Sequence, residues 1–187
     1  MRRRDFIVAA NGAALSLAFA GLARGGSGMA EVITHDIVVT RLFDASPERV
    51  WREWREDAEV MKWWGPDYFT SPAAKMDVRE GGRSLVCMRS PDGTDMWMTW
   101  DYTRVVPFER LEYVQNISDA AGNLLDPAAF NLPPEFPRDV ATVVTLAAKG
   151  EKTETTITET TRTTQMMLDL SRQGLEQCLD KMGRTFA

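Results

Sequence analysis

The sequence predicts an α+β fold, an antiparallel sheet laid against one long C-terminal helix, and three observations predict it. From residue 80 onward, alternating apolar and polar runs are divided by turn signals, the pattern of hairpins that follow one another in sequence. From Thr163 to Phe186 the apolar residues recur at helical spacing. The 187 residues, 44% hydrophobic with 6 Trp, 3 Tyr and 8 Phe, have the size of one ordinary domain and can fill a core without disulfide or metal staples.

At the start, Met1-Arg2-Arg3-Arg4 puts a basic head before a weakly apolar stretch from Ile7 to Ala23, the layout of a secretion signal. Asn11, Gly12, Ser16 and Gly21 interrupt that stretch, which falls short of the roughly 20 strongly apolar residues a bilayer core requires, so no stable membrane span is expected. Arg3-Arg4-Asp5-Phe6-Ile7 resembles the twin-arginine export signal, with Ala18-Phe19-Ala20 as a small-x-small cleavage site. Residues 1–28 are therefore expected to be a leader, residues 29–187 the working domain, and the location periplasmic or otherwise exported by the twin-arginine route. The alternative is a cytoplasmic domain whose true start is Met29, after Gly25-Gly26-Ser27-Gly28. Without the leader's four Arg and one Asp, 18 basic and 26 acidic residues remain, a net charge of -8.

Along the domain, Thr34 to Phe43 is β-branched and roughly alternating, which predicts a first strand. Ser46-Pro47-Glu48 starts a helix: Ser caps free N–H groups, Pro fits the first turn and Glu faces the positive end of the dipole. Val50, Trp51 and Trp54 are spaced to bury one face of it. A second short helix carries Val60 and Met61 and stops at Trp63-Trp64-Gly65-Pro66, because Pro cannot continue the ladder. Turns are expected at Glu80-Gly81-Gly82, Pro91-Asp92-Gly93, Val106-Pro107-Phe108 and Lys149-Gly150-Glu151.

Strand alternation sends Met96, Met98, Trp100 and Tyr102 to one face and Thr99, Asp101 and Thr103 to the other. The next strand puts Leu111, Tyr113, Gln115 and Ile117 inside, opposite Glu112 and Asn116. The last two strands, near Val140 to Ala147 and Thr153 to Thr161, are rich in Val and Thr. Before them, Asp119 to Asp139 holds four prolines and the apolar Leu124, Leu125, Phe130, Leu132 and Phe136, so a packed flap over one end of the sheet is expected. On the final helix Met167, Leu170, Gly174, Leu175, Cys178, Leu179, Met182 and Phe186 share one half of the wheel.

Several chemistries are excluded. With a net charge of -5 and no run of Lys or Arg beyond the first four residues, no nucleic-acid partner is expected. Two cysteines, Cys87 and Cys178, exclude a disulfide scaffold and every multi-cysteine zinc site; they pair only if their Cα atoms lie within about 7 Å, and otherwise act as small hydrophobes. His35, the sole imidazole, sits at a strand end and is expected to be solvated rather than catalytic. No metal site, phosphate-cradling glycine loop or dinucleotide fingerprint is present, so no cofactor is expected. Asp77, Glu80, Asp92 and Asp95 lie at separate turns, where they keep edges soluble, and no residue is assigned a catalytic role.

Taken in order, Phe43-Asp44-Ala45-Ser46-Pro47-Glu48-Arg49-Val50-Trp51, Trp63-Trp64-Gly65-Pro66, Asp77-Val78-Arg79-Glu80-Gly81-Gly82 and Pro91-Asp92-Gly93 resemble the bacterial homologues of the heat-shock-protein-90 ATPase activator's C-terminal domain. Val106-Pro107-Phe108-Glu109-Arg110-Leu111 and the segment from Gly174 to Lys181 resemble that family's central turn and last helix, and the likeness spans residues 34–187. The family belongs to the START-like (SRPBCC) superfamily. The resemblance implies a helix-grip fold, in which a curved antiparallel sheet wraps around the C-terminal helix and two short helices follow the first strand. Two features depart from the pattern: the 119–139 loop is longer, and Leu175 stands where the family commonly has Trp.

In that fold the sheet and final helix enclose a cavity, and the inner-face residues Met88, Met98, Trp100, Tyr102, Tyr113 and Gln115, facing Met167 and Leu170, would line it with Trp64 at its mouth. The expected function is non-enzymatic binding of a small apolar or amphipathic molecule there. Three alternatives stand beside it: the same side chains fill a plain core, the cavity serves a cyclase or dehydratase in which Tyr102 and Tyr113 move protons, or the domain is a chaperone-regulating interaction module. A homodimer is compatible with a domain of this size, though no residue points to it.

Overall fold

The computed structural model describes residues 31–187, and the leader expected at residues 1–28 lies outside the described residues. In chain order the elements are β1 (Ile33–Phe43), α1 (Pro47–Arg55), α2 (Asp57–Trp63), β2 (Ala74–Lys75), β3 (Arg83–Arg89), β4 (Asp95–Val106), β5 (Arg110–Ser118), a single 3-10 turn (Pro127–Phe130), β6 (Val140–Lys149), β7 (Lys152–Thr163) and α3 (Gln165–Arg184). Each strand from β2 to β7 pairs with the next, and β1 closes onto β7, so one antiparallel sheet runs β1-β7-β6-β5-β4-β3-β2. The helix-grip architecture implied by the resemblance is the one observed.

Local chemistry sets the helix boundaries. Ser46 Oγ accepts from Arg49 N at 3.4 Å and Pro47 opens α1, while Thr164 Oγ1 accepts from Met167 N and caps α3. The buried face of α3 holds Met167, Leu168, Leu175, Cys178, Leu179 and Met182. Alternation on β4 buries Met96, Met98, Trp100 and Tyr102, and on β5 it buries Leu111, Tyr113 and Ile117. Trp100 is the centre of an aromatic cluster, with ring centroids 4.9 Å from Trp64, 5.0 Å from Tyr113, 6.1 Å from Trp54 and 6.5 Å from Trp63.

The segment from Asp119 to Asp139 is ordered by its own polar residues. Asp119 accepts from the backbone N–H groups of Ala121 and Asn123, and Asp126 pairs with Arg138 at 2.8 Å. Asn116 and Asp139 exchange two hydrogen bonds, and Thr163 Oγ1 donates to Glu135 O at 2.6 Å, which ties the segment back to β5 and β7. Leu125, Leu132 and Phe136 pack on the core as expected of a flap, but Leu124 does not: its bridge to Ser118 turns the side chain to solvent, 55% exposed.

α1 also buries a charge that amphipathic spacing does not anticipate. Glu53 is fully buried, yet Arg49 reaches it at 2.6 Å and Thr185 Oγ1 donates to it at 2.8 Å. Arg49 also pairs with Glu59 of α2 at 3.2 Å, so one guanidinium joins α1, α2 and the end of α3. Burial raises the Glu53 carboxyl to about 6, while the hydrogen bond from Lys62 holds Glu59 down at about 2. Removing the cation would leave a buried carboxylate unpaired. Arg49→Met is therefore expected to cost about 3 kcal/mol in urea denaturation at neutral pH, and a loss within error of zero would show that the pair contributes nothing.

Candidate functional site

The aromatic cluster and α3 do not fill the whole inside of the sheet. Beside the cluster lies a cavity of about 430 Å³, bounded by β1, β4, β5 and β7, by α3, by the segment after α2 and by the flap. Six of the nine residues expected to line it are in its wall: Trp64, Met88, Met98, Gln115, Met167 and Leu170. Trp100, Tyr102 and Tyr113 are not. They are 1%, 3% and 4% exposed and pack on one another, with Trp100 stacked on Tyr113 and Tyr102 edge-on to Tyr113. Alternation shows correctly which face these rings share, but their size closes the part of the trough they occupy. Burial raises both tyrosine hydroxyls above their ordinary value, so neither is a ready proton carrier at neutral pH.

The flap supplies wall residues that strand periodicity does not reveal, Leu132, Phe136 and Pro137. The rim opposite is the turn after α2. Gly65 holds a φ of 98°, and a Cβ there would stand 3.1 Å from that of Phe69, so the close turn requires glycine. Lys181 Nζ donates to the carbonyls of Gly65 and Phe69 at 2.9 and 3.1 Å, and Asp67 N donates to Gln177 Oε1 at 3.1 Å, so α3 holds this rim in place.

Few polar groups reach the wall. Trp100 Nε1 can only donate, and it lies 2.8 Å from Gln115, so the oxygen of that amide is the atom turned toward Trp100. Trp64 Nε1 and Thr161 Oγ1 are buried in the lining without a hydrogen-bond partner. Glu159, opposite Ile37 on β1 and Thr142 on β6, projects from β7 into the same cavity. Burial raises its carboxyl from 4.5 to about 7, and among the described residues no cation or donor offsets it. The signal for this residue was present in the alternation Thr153, Thr155, Ile157, Glu159, Thr161, which puts an acid on the inner face.

Elsewhere, Cys87 and Cys178 are free, buried thiols, and burial raises them to about 11 and about 12. His35, expected to be solvated, is half-buried: its Nε2 is buried without a partner, and the residue lines a hollow with the flap and the start of α3. Asp77 and Asp95 pair with Arg79 and Arg89, and Glu80 accepts from Val105 N, as turn acids do. Among the described residues no helix is long and apolar enough to cross a membrane.

A sheet gripping its C-terminal helix across an apolar cavity defines a START-like helix-grip domain. Residues 44–187 match the family described as Activator of Hsp90 ATPase homolog 1-like protein, and the chain belongs to that family. The fold is similar to a protein from Chromobacterium violaceum (24% identity, TM-score 0.65, covering 81% of this chain and 96% of that one). It is also similar to one from Mycobacterium smegmatis (20%, 0.65, 84% and 96%) and to an AHSA1-like protein from Aeromonas hydrophila (19%, 0.62, 80% and 90%). Comparison with curated proteins finds no match.

The raised Glu159 carboxyl makes stability depend on pH. Between pH 4.5 and about 7 the folded chain keeps a proton that the unfolded chain has released. The stability this group contributes is thus full below its unfolded value and is lost as pH rises through its folded one, by roughly 3 kcal/mol. Urea midpoints measured across this range are expected to show the decline in the native protein and a flatter profile in Glu159→Gln. Glu53 adds a slope of the same sign at lower pH that the variant keeps; profiles that coincide would refute the assignment.

Proposed function

We propose that this domain binds a small apolar or amphipathic molecule in the cavity between the sheet and α3, without chemical conversion. The observation that carries the reading is an apolar space of about 430 Å³, within the roughly 300–1,000 Å³ typical of small-molecule sites, walled by Met88, Met98, Leu132, Phe136, Met167 and Leu170. Methionine side chains suit this role because thioethers adapt to irregular shapes. The placement of Tyr102 and Tyr113 in closed packing weighs against the cyclase or dehydratase alternative that would use them.

We further infer that the domain works outside the cytoplasm, on the strength of Arg3-Arg4-Asp5-Phe6-Ile7 and the apolar stretch that follows. Twin-arginine export of an already folded domain would let a ligand loaded in the cytoplasm travel with it. The intact mass of protein purified from its own host, taken native and then denatured, tests both inferences. A chain processed before Met29 with a reproducible small-molecule excess is the expected result, and an unprocessed chain would reject export.

Binding itself is tested with Nile red, a neutral dye that fluoresces in apolar surroundings. The native domain is expected to bind it, and Leu170→Trp, which fills the cavity from α3, to weaken binding about tenfold or more. Equal binding by a folded Leu170→Trp would place the dye elsewhere and remove the support.

A further inference from the structure

The cavity has a sign. Among the described residues that line it the carboxylates are Glu159 inside and Asp67 at the exposed rim, and none is Lys or Arg. Lys181, which approaches from α3, is engaged by the carbonyls of Gly65 and Phe69. A carboxylate in an apolar wall is costly until a cation or donor meets it, and among the described residues neither does. Two residues along β7 and on the same face, Thr161 Oγ1 is a buried oxygen with no partner. The polar corner of the cavity is thus a pair of acceptors, one of them able to carry negative charge. Gln115 and Trp64 offer neutral N–H donors elsewhere on the wall, which suit an ether or carbonyl oxygen but do not balance the charge of a carboxylate ligand.

Resting on the ligand-binding function proposed above, we propose that the molecule taken by this cavity is an organic amine, its ammonium N–H groups on Glu159 and Thr161 and its apolar body against Met88, Met98 and Leu170. A charge-assisted N–H···O bond beside an apolar wall is the interaction that these acceptors can make most strongly. The same field rejects fatty acids and other anionic amphiphiles, and Asp67 at the rim adds to the pull on a cation entering.

Three probes of equal length and different head groups test this: decylamine, decanol and decanoate, titrated calorimetrically against the native domain. Decylamine is expected to bind at least about tenfold tighter than decanol, and decanoate weakest of the three. Glu159→Gln is expected to abolish the amine's advantage over decanol, a change of ranking that misfolding would not reproduce. Acidification should weaken decylamine and spare decanol, because protonating Glu159 removes the charge. The other titratable groups facing it, Tyr113 on β5 and Cys178 on α3, stay neutral throughout, and His35 on β1 lies one inner-face position away, beside Thr161. Decanol or decanoate binding as tightly as decylamine, or a ranking unchanged in Glu159→Gln, would overturn the amine assignment and leave the cavity's binding role intact. Binding of none of the three would overturn both.

Discussion

Trp100 decides how the inside of the sheet is divided. Trp54 from α1, Trp63 from α2, Trp64 from the turn that follows and Tyr113 from β5 all meet this one indole. Rings this large fill one part of the trough to core density and leave the remainder to the smaller side chains of α3 and the flap, which do not fill it. The same indole N–H fixes the orientation of Gln115 at the boundary between the two regions. Cluster, cavity and one of the cavity's polar groups therefore depend on a single residue of β4.

Two inward-facing carboxylates, Glu53 fully buried and Glu159 partly so, show how differently one side chain is used in one domain. Glu53 has Arg49 and Thr185 as partners, and together they lock α1 to α2 and to the end of α3. Among the described residues Glu159 has no such partner, and it lowers the stability of the domain at neutral pH. A paired buried charge serves the fold, whereas an unpaired one facing a cavity is a constraint kept at the expense of stability, and such groups gather at functional sites.

Much of the fold is legible in the sequence because its signals are local. Ser46-Pro47 opens α1, the glycine and proline turns divide the strands, and the apolar half of the last helix is the face that α3 buries. The misses share a different cause. Trp100, Tyr102 and Tyr113 lie on the inner face that alternation assigns them, yet whether an inner-face residue lines a cavity or closes a core depends on what comes from the other elements. Glu159 stands in a Thr-rich strand whose composition draws attention to sheet propensity and away from its one inward acid. The exposure of Leu124 and the partial burial of His35 are tertiary as well, because a single bridge turns one outward and the other lines a hollow with the flap and the start of α3.

The sequence by itself determined the order of the elements, their turns and the face each one buries, since periods of two and of 3.6 residues are written into neighbouring positions. Only the tertiary structure decided that a cavity exists, that Glu159 faces it and that, among the described residues, no cation shares its wall. A void is the volume left over when side chains from β4, β7, α3 and the flap have met, and a buried charge is unpaired only with respect to everything around it. Such quantities belong to the assembled chain, because residues far apart in sequence set them together.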